Sequence, residues 1–166
     1  MNQNRAASRL RVFPCLGVAF WLSCSGCGDN ASGVKAAQGA IRQQIEKYTS
    51  ALDKADASLA AQVWRTSPDV SFIHPAGHGH GWEEVKGFYN FFSSAFSERK
   101  LTARDITVHV NGDTAWAEFY WHFKAKQTKD GSAVETDGRE TQIYVRADDR
   151  WQLVHAHYSS PVVPPQ

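Results

Sequence analysis

The stretch WQLVHAHYSSP, residues 151–161, decides the fold of this chain. It follows a polar turn at residues 148–150, and Trp151 provides an apolar anchor at its start. The two histidines that follow, His155 and His157, are one strand period apart and therefore share a face. The stretch is predicted to be the final strand of a sheet, whose other strands must lie upstream.

Alternation of apolar and polar residues marks those upstream strands. It begins at residues 106–110, which end in a turn of asparagine, glycine and aspartate at 111–113. An aromatic-rich strand follows at 115–123, and a second polar turn at 129–131 leads to a strand at 139–146. Strands joined by such short turns are predicted to pair as antiparallel hairpins.

The first part of the domain has helical periodicity instead. Apolar residues recur every three or four positions over 34–52, and Asp56 can cap a second, short helix. A short strand at 70–74 and a loop of alternating glycine and histidine at 77–81 precede a third helix over 82–92. Helices followed by hairpin-linked strands predict an α+β domain with an antiparallel sheet.

The N-terminus has the three zones of a secretory signal. Arginines precede an apolar stretch at 12–22, and small residues follow it. That stretch is too short to span a bilayer as a helix, which needs about 20 residues. The tripeptide Ser25-Gly26-Cys27 resembles the bacterial lipoprotein box, in which the cysteine receives the lipid.

Residues 1–27 are therefore predicted to be a signal peptide of the lipoprotein type, with Cys27 as the lipidated residue. Ordinary cleavage near this point and an uncleaved anchor are the alternatives. Residues 28–33 are predicted to be a tether and residues 34–166 a single domain. The expected location is the bacterial cell envelope, with the domain held at a membrane and facing the periplasm or the exterior.

Composition limits the chemistry of the folded part. All three cysteines lie within the first 27 residues, so the domain has no disulfide and no thiolate for catalysis or metal binding. Removing residues 1–26 takes away three of the 18 basic residues and none of the 17 acidic ones. The remainder is slightly acidic, which gives no electrostatic reason to expect nucleic-acid binding.

Two parts of the chain resemble known domains. Residues 140–144 and 151–159 are similar to the last hairpin of the association domain of calcium/calmodulin-dependent protein kinase II. Residues 44–56 and 70–75 are similar to the first helix and first strand of ketosteroid isomerases. The chain thus resembles the nuclear transport factor 2-like superfamily, in particular its SnoaL-like branch. This implies a cone-shaped fold, in which a curved antiparallel sheet wraps around three N-terminal helices and encloses a pocket.

The resemblance to ketosteroid isomerases implies three catalytic residues. Tyr48 matches the tyrosine that donates to the substrate oxygen, and His74 precedes a proline where those enzymes have their aspartate base. Gln142 corresponds to their second oxyanion donor. Histidine can act as a base near neutral pH, and a glutamine amide can donate a hydrogen bond. The trio could therefore polarise a carbonyl group and move a proton, although steroid isomerisation itself is not expected.

The resemblance to the kinase association domain implies what the pocket does not bind. The arginines that attract carboxylates there correspond to Trp121, Gln142 and Tyr158 in this chain, so an anionic ligand loses its main attraction. A small, mostly neutral molecule is expected instead. The residues predicted to contact it are Trp64, Phe72, Trp121, Tyr144 and Tyr158.

Three hypotheses for function remain open. The first is a small-molecule pocket, with proton transfer of an isomerase or cyclase type possible and no cofactor. The second is a non-catalytic association module that forms a homodimer through the outer face of the sheet, where His122 and the His155/His157 pair are expected. The third is a metal site, because His74, His78 and His80 have a spacing that imidazole ligands can use.

Overall fold

The computed structural model describes residues 26–75 and 77–160. The predicted signal peptide up to residue 25 lies outside the described residues. The described part contains three helices and six strands. In chain order these are α1 (Gly26–Lys54), α2 (Ala57–Ala60), β1 (Ser71–His74), β2 (Gly77–His80), α3 (Gly81–Ala95), β3 (Phe96–Asn111), β4 (Thr114–Gln127), β5 (Ala133–Ala147) and β6 (Arg150–Ser159).

Helix α1 packs its apolar stripe against the sheet. Ile41, Tyr48 and Leu52 recur at helical spacing and are buried, as the amphipathic pattern predicted. The backbone at residues 28–33, the predicted tether, is helical and continuous with the rest of α1. That segment has no apolar periodicity of its own, but a helix that has formed gains one hydrogen bond with each added residue. None of the helices in the described ranges has the length and apolarity needed to cross a bilayer.

Helix α2 begins where the sequence predicted it. The Asp56 side chain accepts hydrogen bonds from the backbone N–H groups of Ser58, at 2.7 Å, and Leu59, at 3.2 Å. These bonds satisfy two of the free N–H groups at the start of the helix. The chain enters this cap through Ala55, which has a positive φ of 48°. The cap ends α1 and turns the backbone back toward the sheet.

The sheet is mixed, which corrects the predicted antiparallel sheet. Its strand order is β2-β1-β6-β5-β4-β3. Strands β3 to β6 pair as the predicted antiparallel hairpins, but β1 pairs in parallel with β6. Parallel neighbours require a long connection, and here it contains α3 and four strands. The pairing of β1 with β6 joins the two ends of the domain, a contact that local periodicity cannot predict.

The predicted loop at residues 77–81 is largely a strand. Its first four residues form β2, which pairs with β1 so that Phe72 lies opposite Gly79 and Ile73 opposite His78. Gly81 follows with a φ of 74°, a conformation that favours glycine, and its missing Cβ faces Pro68 at 3.4 Å. The glycines therefore allow a tight edge strand and a sharp start to α3.

Bulges curve the sheet around the helices. Strand β3 shifts its register against β4 at two places, between Ser97 and Lys100 and between Arg104 and Thr107. A third shift lies between β5 and β6. An extra residue in one strand bends it and increases its twist. The result is the open, cone-like shape that the resemblance implied, with its core between α1, α3 and the inner face.

Candidate functional site

A small cavity lies inside the cone, between α1, α3 and the inner face of the sheet. Its volume is about 20 Å³, and a single water molecule needs about 10–15 Å³. The wall is aromatic and aliphatic apart from one carboxyl group and two phenols. The lining residues are Tyr48, Leu52, Phe72, Phe88, Phe92, Leu101, Phe123, Glu140 and Tyr158.

The carboxyl group belongs to Glu140 on β5. Strand alternation turns this residue inward, between Phe119 on β4 and Tyr158 on β6. Its side chain accepts a hydrogen bond of 2.8 Å from Nε2 of Gln142 and another from the hydroxyl of Tyr48. No ion pair recorded within residues 31–75 and 77–160 includes it. Burial without a counterion raises its pKa to about 7, and the two hydrogen bonds oppose this rise.

A chain of hydrogen bonds holds the carboxyl group in place. The hydroxyl of Tyr144 donates to Oε1 of Gln142, which leaves the amide nitrogen of Gln142 to donate to Glu140. Gln142 and Tyr144 are fully buried behind the cavity wall. Burial, and then the nearby carboxyl group of Glu140, raise the pKa of Tyr48 well above its usual value. Tyr48 is therefore a neutral hydrogen-bond donor at physiological pH.

His74 does not line the cavity, but it packs against residues that do. Its ring packs against Phe72 and Phe88, with centroids at 5.2 and 5.1 Å, and both of those residues line the cavity. Strands β1 and β6 pair Ile73 with His157, so the next residue along, His74, is a neighbour of Tyr158 on the inner face. Partial burial, followed by the charge of a nearby histidine, lowers the pKa of His74. His74 is therefore neutral at pH 7 and able to accept a proton.

Trp121 forms a buried platform under Tyr158. Its indole ring is fully buried and lies 4.4 Å from the Tyr158 ring, centroid to centroid. It crosses β5 above Gly138, where any side chain would collide with it. Trp121 itself is not among the lining residues. Its effect on the cavity is to fix the position of Tyr158.

The structure separates the predicted site residues into three groups. Tyr48, Phe72 and Tyr158 line the cavity. Gln142 and Tyr144 hold Glu140 in place through hydrogen bonds. Trp64 does not line the cavity either, and its Nε1 donates a hydrogen bond to the hydroxyl of Tyr89 at 3.1 Å. Trp121 and His74 contact the lining residues from outside. The expected trio of Tyr48, His74 and Gln142 is therefore not in mutual contact; two of its members meet at Glu140 instead.

Glu140 was not predicted as a candidate site residue. Its sequence signal is a carboxylate at an inward position of a strand, two residues before Gln142 and four before Tyr144. Because alternate residues of a strand share a face, this spacing alone places Glu140 beside Gln142 and on the same face as Tyr144. A buried glutamate is uncommon, so the pattern favoured a solvated residue.

The predicted grouping of His74, His78 and His80 is also absent. His74 shares the inner face with Phe72, whereas the two loop histidines occupy the alternate positions of β2 and face the other side. Throughout residues 26–75 and 77–160, no three histidine, cysteine or acidic side chains are arranged to hold a metal ion.

Known proteins share this architecture. A solved nuclear transport factor 2-like superfamily protein from Salmonella enterica serovar Typhimurium is 38% identical, with a TM-score of 0.74 over 81% of this chain and 96% of that one. A hexachlorocyclohexane dehydrochlorinase, LinA type 2, is 16% identical, with a TM-score of 0.69 over 76% of this chain and 86% of its own, which shows the fold alone.

The delta subunit of calcium/calmodulin-dependent protein kinase type II from Oryctolagus cuniculus is 28% identical over 138 residues, or 79% of this chain. The chain spans only 25% of the length of that kinase. These matches confirm the resemblance and the α+β cone expected from the sequence. The family model of the SnoaL-like domain matches residues 41–163. The chain belongs to the SnoaL-like domain family of the nuclear transport factor 2-like fold.

Proposed function

We propose that this domain binds a small, uncharged, largely apolar carbonyl compound inside its cone and moves a proton on it. The observation that carries the proposal is the buried carboxyl group of Glu140, which is hydrogen bonded to Tyr48 at an aromatic cavity. A carboxyl group without a counterion is costly to bury, and such groups concentrate at functional sites. A hexachlorocyclohexane dehydrochlorinase has the same fold, so the fold is compatible with chemistry on an uncharged, apolar molecule.

The two donors would act on the carbonyl oxygen, for which Tyr48 must turn its single O–H from Glu140 to the ligand. Tyr48 is neutral, and Glu140, with a pKa of about 7, is protonated in half or more of the molecules at or below neutral pH. Two neutral donors at a water-poor site stabilise the negative charge that develops on a carbonyl oxygen when a neighbouring carbon loses a proton. Gln142 would hold Glu140 in position, a different role from the direct contact that the resemblance implied.

His74 would act as the base. It is separated from Glu140 by one strand, which bears Tyr158, so the Cα atoms of the two residues are about 10 Å apart. A ligand of one or two rings could contact Glu140 with its oxygen and His74 with its acidic carbon. The pKa of Glu140 is raised and that of His74 is lowered, so at pH 7 one can donate and the other can accept.

A ligand of that size must displace part of the wall. The cavity holds little more than one water molecule, and Phe88 and Phe92 of α3 close it on one side. Their rings pack on each other with centroids 4.5 Å apart, and Phe92 also contacts Phe123. Rotamer changes of this kind are common when a partner binds. We propose that these two rings swing outward to admit the ligand.

The test uses 2-tetralone, an uncharged aromatic ketone, and follows the exchange of its α-protons for deuterium by NMR. We expect the purified protein to catalyse this exchange, and His74→Gln to reduce it by about 10²-fold or more. Glu140→Gln should retain part of the activity, because an amide can still donate. Activity should also fall as the pH rises through 7 in the parent protein, since Glu140 then ionises.

His157→Gln is the matched control, because this histidine is exposed on the outer face of β6. An opposite pattern, in which Glu140→Gln abolishes exchange and His74→Gln does not, would assign the base to Glu140. Absence of exchange above the buffer rate, or an equal loss in His157→Gln, would contradict the proposed proton transfer.

Self-association is the second candidate function, because large aromatic side chains are exposed on the outer face of the sheet. Trp116 and Tyr120 on β4 are 39% and 46% exposed. We expect Trp116→Glu to convert a homodimer into a monomer in analytical ultracentrifugation, because a buried unpaired charge is costly. Phe91→Glu is the control, since this residue is exposed on α3 and not on the sheet. A monomeric parent protein would exclude this candidate.

We also propose that the domain is exported and lipid-anchored at the bacterial cell envelope. Support comes from the sequence alone, through the charged and apolar zones before Cys27. The mass of the N-terminal peptide isolated from membranes tests this proposal, since lipidation predicts a diacylated Cys27 as its first residue. An unmodified Met1 would contradict it.

A further inference from the structure

Two pairs of histidines face the same side of the sheet, opposite the cavity. His78 and His80 occupy alternate positions of β2, and His155 and His157 lie two residues apart on β6. Strand β1 lies between β2 and β6. The two pairs are thus held about 10 Å apart by the backbone, twice the usual spacing between strands.

The register aligns the two pairs across β1. Ser71 lies opposite both His80 and His155, and Ile73 lies opposite both His78 and His157. Three of the four imidazoles are exposed, and His155 is partly buried. The two rings on β2 are already close, with centroids 3.8 Å apart. A serine at the centre leaves room for rings from both sides to lean inward.

We propose that His78, His80 and His155 bind a divalent transition metal ion on this outer face. Imidazole nitrogen is a favoured ligand of zinc, copper and nickel. Backbone pairing fixes the ligand positions to within a strand spacing, while the exposed rings can rotate on a picosecond to nanosecond timescale. No three ligands converge in the present side-chain arrangement of the described ranges, so binding would require this rotation. His157 is available as a fourth ligand.

The hydrogen bond of His155 supports this assignment. Its Nδ1 lies 2.7 Å from Oγ of Ser71. With Nδ1 engaged, Nε2 is the nitrogen left to bind a metal, and outer contacts of this kind typically orient metal-binding histidines.

Calorimetric titration of the purified, untagged protein with Cu²⁺ and with Zn²⁺ at pH 7.5 tests the proposal. We expect one ion per chain, bound more tightly for copper than for zinc. The double variant His78→Ala/His80→Ala and the single variant His155→Ala should each weaken binding by at least about tenfold, and Ser71→Ala by about tenfold.

The matched control is His109→Ala/His122→Ala, which removes two histidines from strands β3 and β4 on the other side of the sheet order. Circular dichroism of each variant checks that the fold is intact. Unchanged affinity in His78→Ala/His80→Ala, an equal loss in the control, or no binding by the parent protein would overturn the proposal. Because the face lies opposite the cavity, these results are independent of the 2-tetralone experiment.

Discussion

At pH 8, Glu140→Gln should be more stable than the parent protein by about 3 kcal/mol, and the difference should disappear near pH 4. Burial raises the pKa of Glu140 from 4.5 to about 7. Between these values the folded state binds a proton that the unfolded state has released. The parent protein therefore loses stability as the pH rises from 4.5 through 7, at about 1.4 kcal/mol for each unit of pKa difference.

The glutamine has no such dependence. It is close to the protonated carboxyl group in shape, can accept the hydrogen bond from Gln142, and presents its amide hydrogens toward Tyr48. Urea unfolding measured every half pH unit from 4 to 8 gives the difference in unfolding free energy directly. The control is Glu135→Gln, because Glu135 is exposed and pairs with His122 and Lys124 on the surface.

Parallel pH profiles of the parent protein and Glu140→Gln would contradict a raised pKa for Glu140, and with it the proposed donor. If Glu140→Gln instead becomes the more stable protein as the pH rises, the parent protein keeps a destabilising group at its cavity. Residues that reduce stability in this way are characteristic of functional sites. The stability measurement thus bears on function without needing a ligand.

The sequence was most informative where one face of an element is buried. The stripe of α1 and the alternation of β3 to β6 could be predicted because each repeats with the period of its element. The cap at Asp56 could also be predicted, since the side chain and its two N–H partners are adjacent in sequence. These features depend only on residues close together in the chain.

Features that depend on distant residues could not be predicted in the same way. The parallel pairing of β1 with β6 is set by the packing of the whole domain, and it gives His74 its neighbour Tyr158. The same pairing brings His155 near His78, although 76 residues separate them in the chain. Glu140 was overlooked for a different reason. The free-energy cost of burying its carboxyl group is offset only by hydrogen bonds from Tyr48 of α1 and Gln142 of its own strand.

Gly138→Ala should be the most destabilising single-methyl change in the sheet. A Cβ atom at this position would lie within 3.0 Å of the carbonyl oxygen of Ser159 and of two ring atoms of Trp121, a separation that real Cβ atoms essentially never show. One obstacle is backbone and the other is a fully buried indole, so neither can move without disturbing β6 or the core. We expect a loss of about 4 kcal/mol or more in unfolding free energy, at the upper end for point substitutions.

Gly87→Ala is the matched control, because a Cβ atom at Gly87 in α3 would meet nothing within 4 Å. In a helix interior, alanine is favoured over glycine by about 0.5–1 kcal/mol, so this variant should be slightly more stable than the parent protein. Adding Trp121→Leu to Gly138→Ala should recover only part of the loss, since the carbonyl of Ser159 remains in the way. Full recovery would mean that Trp121 alone requires the glycine, and a loss below about 1 kcal/mol would mean that β5 and β6 can separate at this point. In the second case the platform under Tyr158 would be less rigid than the packing of Trp121 indicates, and Tyr158 could move to enlarge the cavity.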